Sequence, residues 1–138
     1  MALDLTSFEK AARSFEEVLL AYDASALGVE AKERKFLRDA VIQRFEYTFE
    51  LARKFLRRYL EMYGLEDSDD IASKDLFRLG FEQGMVRDAE PWLEYLKKRN
   101  ITSHTYDEVV AEEVLAVARR FLPDVKYLLE KIRERAVD

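Results

Sequence analysis

A chain of 138 residues with four glycines, two prolines and no cysteine has too few turn formers for a many-stranded fold and cannot be held by disulfides or by a thiolate-metal centre. Hydrophobic residues make up 49% and charged residues 37%, which excludes a disordered chain and fits one packed domain over residues 1–138. A net charge of −5 excludes nucleic-acid binding through bulk charge alone, although "ARKFLRR" at 52–58 and "KKR" at 97–99 are locally basic.

The start, "MALDLTSFEK", carries Asp4 and Glu9 where a signal peptide would have a basic and then an apolar block. No apolar run reaches the roughly 18 residues of a membrane span, so the expected setting is cytoplasmic, with no membrane contact. Phe8, Ala12, Phe15, Leu19 and Tyr22 form one helical stripe, and Thr6 with Glu9 reads as a capping box at its start. Gly28 falls in the following connection.

The second helix is predicted over about residues 31–63, with Val41, Ile42, Phe45, Phe49, Ala52, Leu56, Tyr59, Leu60 and Tyr63 on its inner face and Gly64 at its end. "LEDSDD" then reads as a solvated loop. It is no calcium loop, because Ile71 and Ala72 stand where a ligand and a glycine are needed. Ser73 can cap a short helix across "KDLFRLGFEQ", ending near Gly84. Asp88 or Glu90 with Pro91 opens the next helix, whose expected inward stripe is Leu93, Leu96 and Asn100.

The last helix is predicted from about Asp107 to Arg135, with Val110, Val114, Val117, Phe121, Val125, Leu128 and Ile132 on one face; Pro123 should bend or split it. The sum is an all-α fold: an antiparallel up-and-down four-helix bundle with one short extra helix.

"KRNITSHTYD" at 98–107 breaks the pattern and holds the one histidine of the chain. Asn100 and His104 would share a face of a continuing helix, with Arg99 about 140° away. Ile101, Thr102, Ser103 and Thr105 favour helix poorly, so a helix end nearby is also consistent. A lone histidine there most simply bonds a carbonyl or caps a terminus.

The same residue types also suit cleavage of an RNA phosphodiester by its own 2′-hydroxyl. Imidazole moves the proton, guanidinium faces the charged phosphorane, Asn100 orients and Tyr106 donates a hydrogen bond. Such chemistry wants two acid–base groups, and one histidine per chain then requires an isologous dimer across this surface, with Trp92 and Tyr106 covered on association. A di-iron bundle fails because residue 101 is Ile101 where a glutamate is needed, and zinc lacks ligands. Neither G-x-G-x-x-G nor a P-loop is present.

"RNITSHTYDE", carrying Arg99, Asn100, His104 and Tyr106, resembles the R-N-x-x-x-H-x-Y element of the HEPN superfamily. "RFEYTFELARKFLRRYL" at 44–60 and "AEEVLAVARRFLPDVKYLLEKI" near the C-terminus resemble the second and last helices of one branch, the nucleotidyltransferase substrate-binding protein family. The resemblance runs from about the first helix to residue 133. It implies a dimeric four-helix bundle that helps form the substrate pocket of a separate minimal nucleotidyltransferase, which carries the ATP or other nucleotide and magnesium. It also implies no cofactor in this chain, whose "SDD" at 68–70 lacks the glycine-serine and strand context of a transfer centre.

Other members of the superfamily are metal-independent endoribonuclease toxins neutralised by the nucleotidyltransferase. Carried over, Arg99 and His104 would be catalytic if RNA is cut. Asn100, Thr102 and Ser103 would support binding, and Tyr106 would be the adenylylated residue.

Overall fold

The computed structural model describes residues 3–25, 31–63 and 72–136; Gly28, Gly64 and the "LEDSDD" loop lie outside them. The described residues form five α-helices and one short 3-10 turn: α1 Thr6–Ala24, α2 Ala31–Met62, α3 Ser73–Glu82, α4 Ala89–Arg99, the turn Thr102–His104, and α5 Glu108–Ala136.

Cross-helix pairs set the directions. Glu16 meets Lys126 and Glu9 meets Arg133, so α1 and α5 are antiparallel. Glu108 lies beside Lys35 and Arg38 at one end of the bundle, while at the other end the Tyr63 hydroxyl donates to the Arg135 carbonyl. So α2 and α5 run parallel. Lys98 meets Glu113 and Arg87 meets Asp124, which turns α4 back against α5. The four longest helices therefore alternate up and down, with α3 as the short extra one. Among the described residues no helix is long and apolar enough to cross a membrane.

The core is aromatic at its centre. Phe121 of α5 contacts Phe15, Phe45, Phe49, Trp92 and Tyr95, with ring centroids between 5.1 and 6.0 Å. Such rings each bury large areas and gain further from offset or edge-on contact. The stripes expected for α1 and α5 are buried, apart from a half-buried Val110; in α2 only Tyr63 stands largely outside.

Several local expectations are corrected. The α4 stripe is turned by one residue: Ala89, Trp92 and Tyr95 face the core, whereas Leu93 and Leu96 are half-buried and Asn100 is exposed. Indole and phenol ring remove more apolar area from water than two leucines, so the helix rotates to bury them. Trp92, 1% exposed, therefore has no surface left to lose on association.

No Thr6–Glu9 capping box forms. The Asp4 carboxylate accepts from the Thr6 amide at 3.0 Å and from its hydroxyl instead, which lowers the Asp4 pKa. Ser73 is the first helical residue, Ala72 is the cap, and the Ser73 hydroxyl accepts from Arg53. Pro123 does not split α5, which continues through it for 29 residues. The Asp88 carboxylate caps α4 by accepting from the Glu90 amide.

Candidate functional site

The segment between α4 and α5 is a pair of tight turns. Asn100 is the C-terminal cap of α4, and its amide bonds the Leu96 carbonyl at 3.1 Å. The helix does not continue to His104, so Asn100 and His104 share no helical face. Instead the His104 amide bonds Ile101, and the Asp107 amide bonds the His104 carbonyl, at 3.0 and 3.1 Å. Small polar side chains stabilise the turns locally. The Thr102 hydroxyl donates to the Arg99 carbonyl at 2.9 Å, and the Thr105 hydroxyl to the Thr102 carbonyl at 3.1 Å. Those bonds compete with helix continuation, which is why the two threonines stop α4 here. Asp107 then caps α5, accepting from the Val109 amide at 2.9 Å.

This geometry puts the imidazole and phenol on the outside. Tyr106 is 83% exposed, His104 is exposed, and their rings meet edge-on with centroids 6.1 Å apart. Ser103 is exposed, whereas Thr102 is buried and spends its hydroxyl on the turn.

Arg99 turns toward α2, while its Nη1 also donates to the Thr102 hydroxyl at 3.5 Å. Its Nε lies 3.1 Å from Glu50 Oε1 and its Nη2 lies 3.6 Å from Glu46 Oε1, both on α2. The Nε–Glu50 contact is close but off-axis, so that buried N–H has charge attraction without a hydrogen bond. Glu50 is shared with Arg53, whose other Nη reaches Ser73. One chain therefore brings His104 and Tyr106 together and holds Arg99 against carboxylates on α2.

Sequence reasoning missed three residues that shape the site. Glu46 and Glu50 stand one turn apart on α2 and neutralise Arg99. Arg38 is buried at 6% exposure and donates to Glu108 and Glu112 at the start of α5, at 2.7 and 2.9 Å. The hydrogen bond from Arg38 holds the Glu108 carboxyl below the usual glutamate range. A signal existed: Arg38 falls on the Val41, Phe45 and Phe49 face, where a cation needs carboxylates from another element. Beside the strip, a groove of about 1050 Å³ runs along α4; Leu93, Leu96, Lys97 and Asn100 are among its lining residues.

A family model described as nucleotidyltransferase substrate binding protein like matches residues 3–134. The chain belongs to that family. This member of the nucleotidyltransferase substrate-binding family is similar to HI0074 from Haemophilus influenzae, whose solved structure is described as revealing the fold of a substrate binding domain of a nucleotidyltransferase. It is 30% identical, with a TM-score of 0.85 over 94% of this chain and 99% of that one. The crystal structure of ttk003001694 from Thermus thermophilus is 32% identical, with a TM-score of 0.74 over 91% and 98%. A curated relative from Haemophilus influenzae named Probable ribonuclease HepT is 39% identical over 97 residues, 68% of this chain. That alignment spans 66% of the relative's own length, just under two thirds. The family's all-helical bundle is the architecture found here.

Proposed function

We propose that this chain is the helical partner subunit of a separate minimal nucleotidyltransferase, to which it presents the strip from Arg99 to Tyr106, with Tyr106 as nucleotidyl acceptor. The observation that carries the proposal is Tyr106 itself: a phenol 83% exposed, beside an exposed imidazole, on turns tied down by their own hydrogen bonds. A nucleophile offered to a second protein needs that access and a fixed approach. Transfer joins the phenolic oxygen to the α-phosphorus of ATP held on the partner. Pyrophosphate leaves and the phenolic proton passes to solvent. The nucleotide and its magnesium belong to the partner, and the cysteine-free sequence suits a reducing cytoplasm.

The relative named Probable ribonuclease HepT supports a second reading, a metal-independent endoribonuclease using Arg99 and His104. Within one chain Arg99 is neutralised by Glu46 and Glu50, so cleavage requires its release and a second copy to complete the acid–base pair. Homodimerisation belongs to both readings, and the nuclease reading needs it across the strip. A nucleotidyl group on Tyr106 would then place phosphate charge beside His104 and exclude RNA.

One experiment separates the two. Incubation with a minimal nucleotidyltransferase that binds this chain, ATP and magnesium is expected to add one adenylyl mass, absent from Tyr106→Phe. An unchanged mass in a complex that does form sinks the acceptor role. In parallel, RNA cut by the chain alone in EDTA, and left intact by His104→Ala, would make the nuclease reading the better one.

A further inference from the structure

Segment 100–107 is tied to α2 at both ends, and the two ties differ in kind. At the first end Arg99, the last residue of α4 just before the segment, supplies the cation. Arg99, its side chain 29% exposed, reaches Glu46 and Glu50 at 3.6 and 3.1 Å and shares Glu50 with Arg53. At the second end α2 supplies the cation. Arg38, its side chain 7% exposed, lies 2.7 Å from Glu108 and 2.9 Å from Glu112, with Lys35 adding a 3.5 Å contact to Glu108.

Magnitudes decide which tie is fixed. An ion pair in contact with water exchanges its partners at little cost, generally below about 1 kcal/mol. A cation held in the interior by two carboxylates has no such alternative, because unpairing it leaves a buried charge uncompensated. The Arg99 end, whose cation is partly exposed, is therefore the looser of the two, and the Arg38 end, whose cation is almost fully buried, is the tighter. Glu108 follows Tyr106 by two residues and opens α5. Arg38 and Glu46 are eight residues apart on one helix, about 12 Å along its axis. So α2 sets the spacing between the two anchors.

We infer that Arg38 is a positioning residue: by fastening the first turn of α5 to α2, it fixes where Tyr106 and His104 stand. It adds no group to the exposed strip and acts through Glu108 and Glu112. The effect on nucleotidyl transfer rests on the function proposed above; the effect on the segment does not.

Hydrogen exchange at the His104 and Asp107 amides reads the segment directly, since each closes a turn within it. Arg38→Met keeps the apolar stem and removes the guanidinium with its charge. Glu108→Gln with Glu112→Gln removes the partners instead, at side chains 58% exposed, and so decides the matter if Arg38→Met fails to fold. Val125→Ala loosens α5 in the core, away from the clamp, as the control.

Both charge-removing changes are expected to speed exchange at 104 and 107 by at least about ten-fold, with α1 amides and the Val125→Ala segment unmoved. Arg38→Lys is expected to recover part of the protection. In the transfer assay, kcat/KM on Tyr106 should fall about ten-fold in Arg38→Met and recover partly in Arg38→Lys. Unchanged exchange at 104 and 107 in the charge-removing variants, or equal loosening in Val125→Ala, overturns the assignment. Faster exchange in a chain whose Tyr106 accepts no nucleotide leaves Arg38's role standing and removes the acceptor role.

Discussion

A guanidinium keeps its charge at any pH a folded protein tolerates, so the contact between Arg38 and Glu108 titrates through the carboxylate alone. The folded Glu108 carboxyl sits below its ordinary value of 4.5 because Arg38 donates to it. A depressed carboxylate contributes stability that is complete above the unfolded value and is lost as pH falls through the folded one. Glu108→Gln should therefore unfold more easily than the parent near neutrality, with the gap constant above about pH 6 and closing below 4.5. Denaturant midpoints of both proteins across pH 3–7 measure this; a gap that widens in acid runs the wrong way. Two tyrosines show how environment assigns roles at this scale. Tyr95 is buried, and burial together with its bond to Asp124 pushes its phenol far above the usual range. That phenol holds α4 to α5, while Tyr106, on the outside, is free to meet another molecule.

Among the elements, helix ends govern what the chain can present. α3 closes with a hydrogen-bonded left-handed cap. Gly84 has φ 74°, the Met85 amide reaches the Gly80 carbonyl at 2.8 Å, and the Gly84 amide reaches Phe81 at 3.0 Å. Gly84→Ala should cost about 1–2 kcal/mol, because a Cβ is strained at that φ. Its nearest neighbour would be Arg135 Nη2 at 3.3 Å, the tip of a flexible side chain, so strain and not a clash sets the size. Chemical denaturation of the variant measures it, and an unchanged midpoint would rule out the cap's contribution. Gly84 was legible in the sequence because a glycine that ends a helical stretch has one common use there. The face of α4 was not. Leu93 and Leu96 fit helical spacing as well as Trp92 and Tyr95 do, and periodicity does not weigh the area each buries. The stop after Arg99 was half legible, since Thr102, Ser103 and Thr105 mark it, but their bonds to nearby carbonyls appear only in three dimensions.

The whole molecule is organised around α2, 32 residues long, which packs against α1 and α5 and carries the counter-charges for both ends of the site segment. The four alternating helices followed from apolar stripes, because a stripe that repeats at helical spacing must be buried against another. Arg99, His104 and Tyr106 were legible by residue type; their arrangement was not, because Arg99 is turned by Glu46 and Glu50, some fifty residues upstream. Pairing over that distance leaves no local pattern in the chain. The fold thus delivers an exposed phenol and imidazole on a segment pinned to a rigid helix, next to a groove along α4. The most direct measurement is hydrogen exchange of this chain, alone and with an excess of its nucleotidyltransferase. Protection gained at residues 99–109, with α1 unchanged, is the expected result. A complex that forms while leaving 99–109 as exposed as before, and covers another face, would contradict the assignment of this strip as the surface shown to the partner.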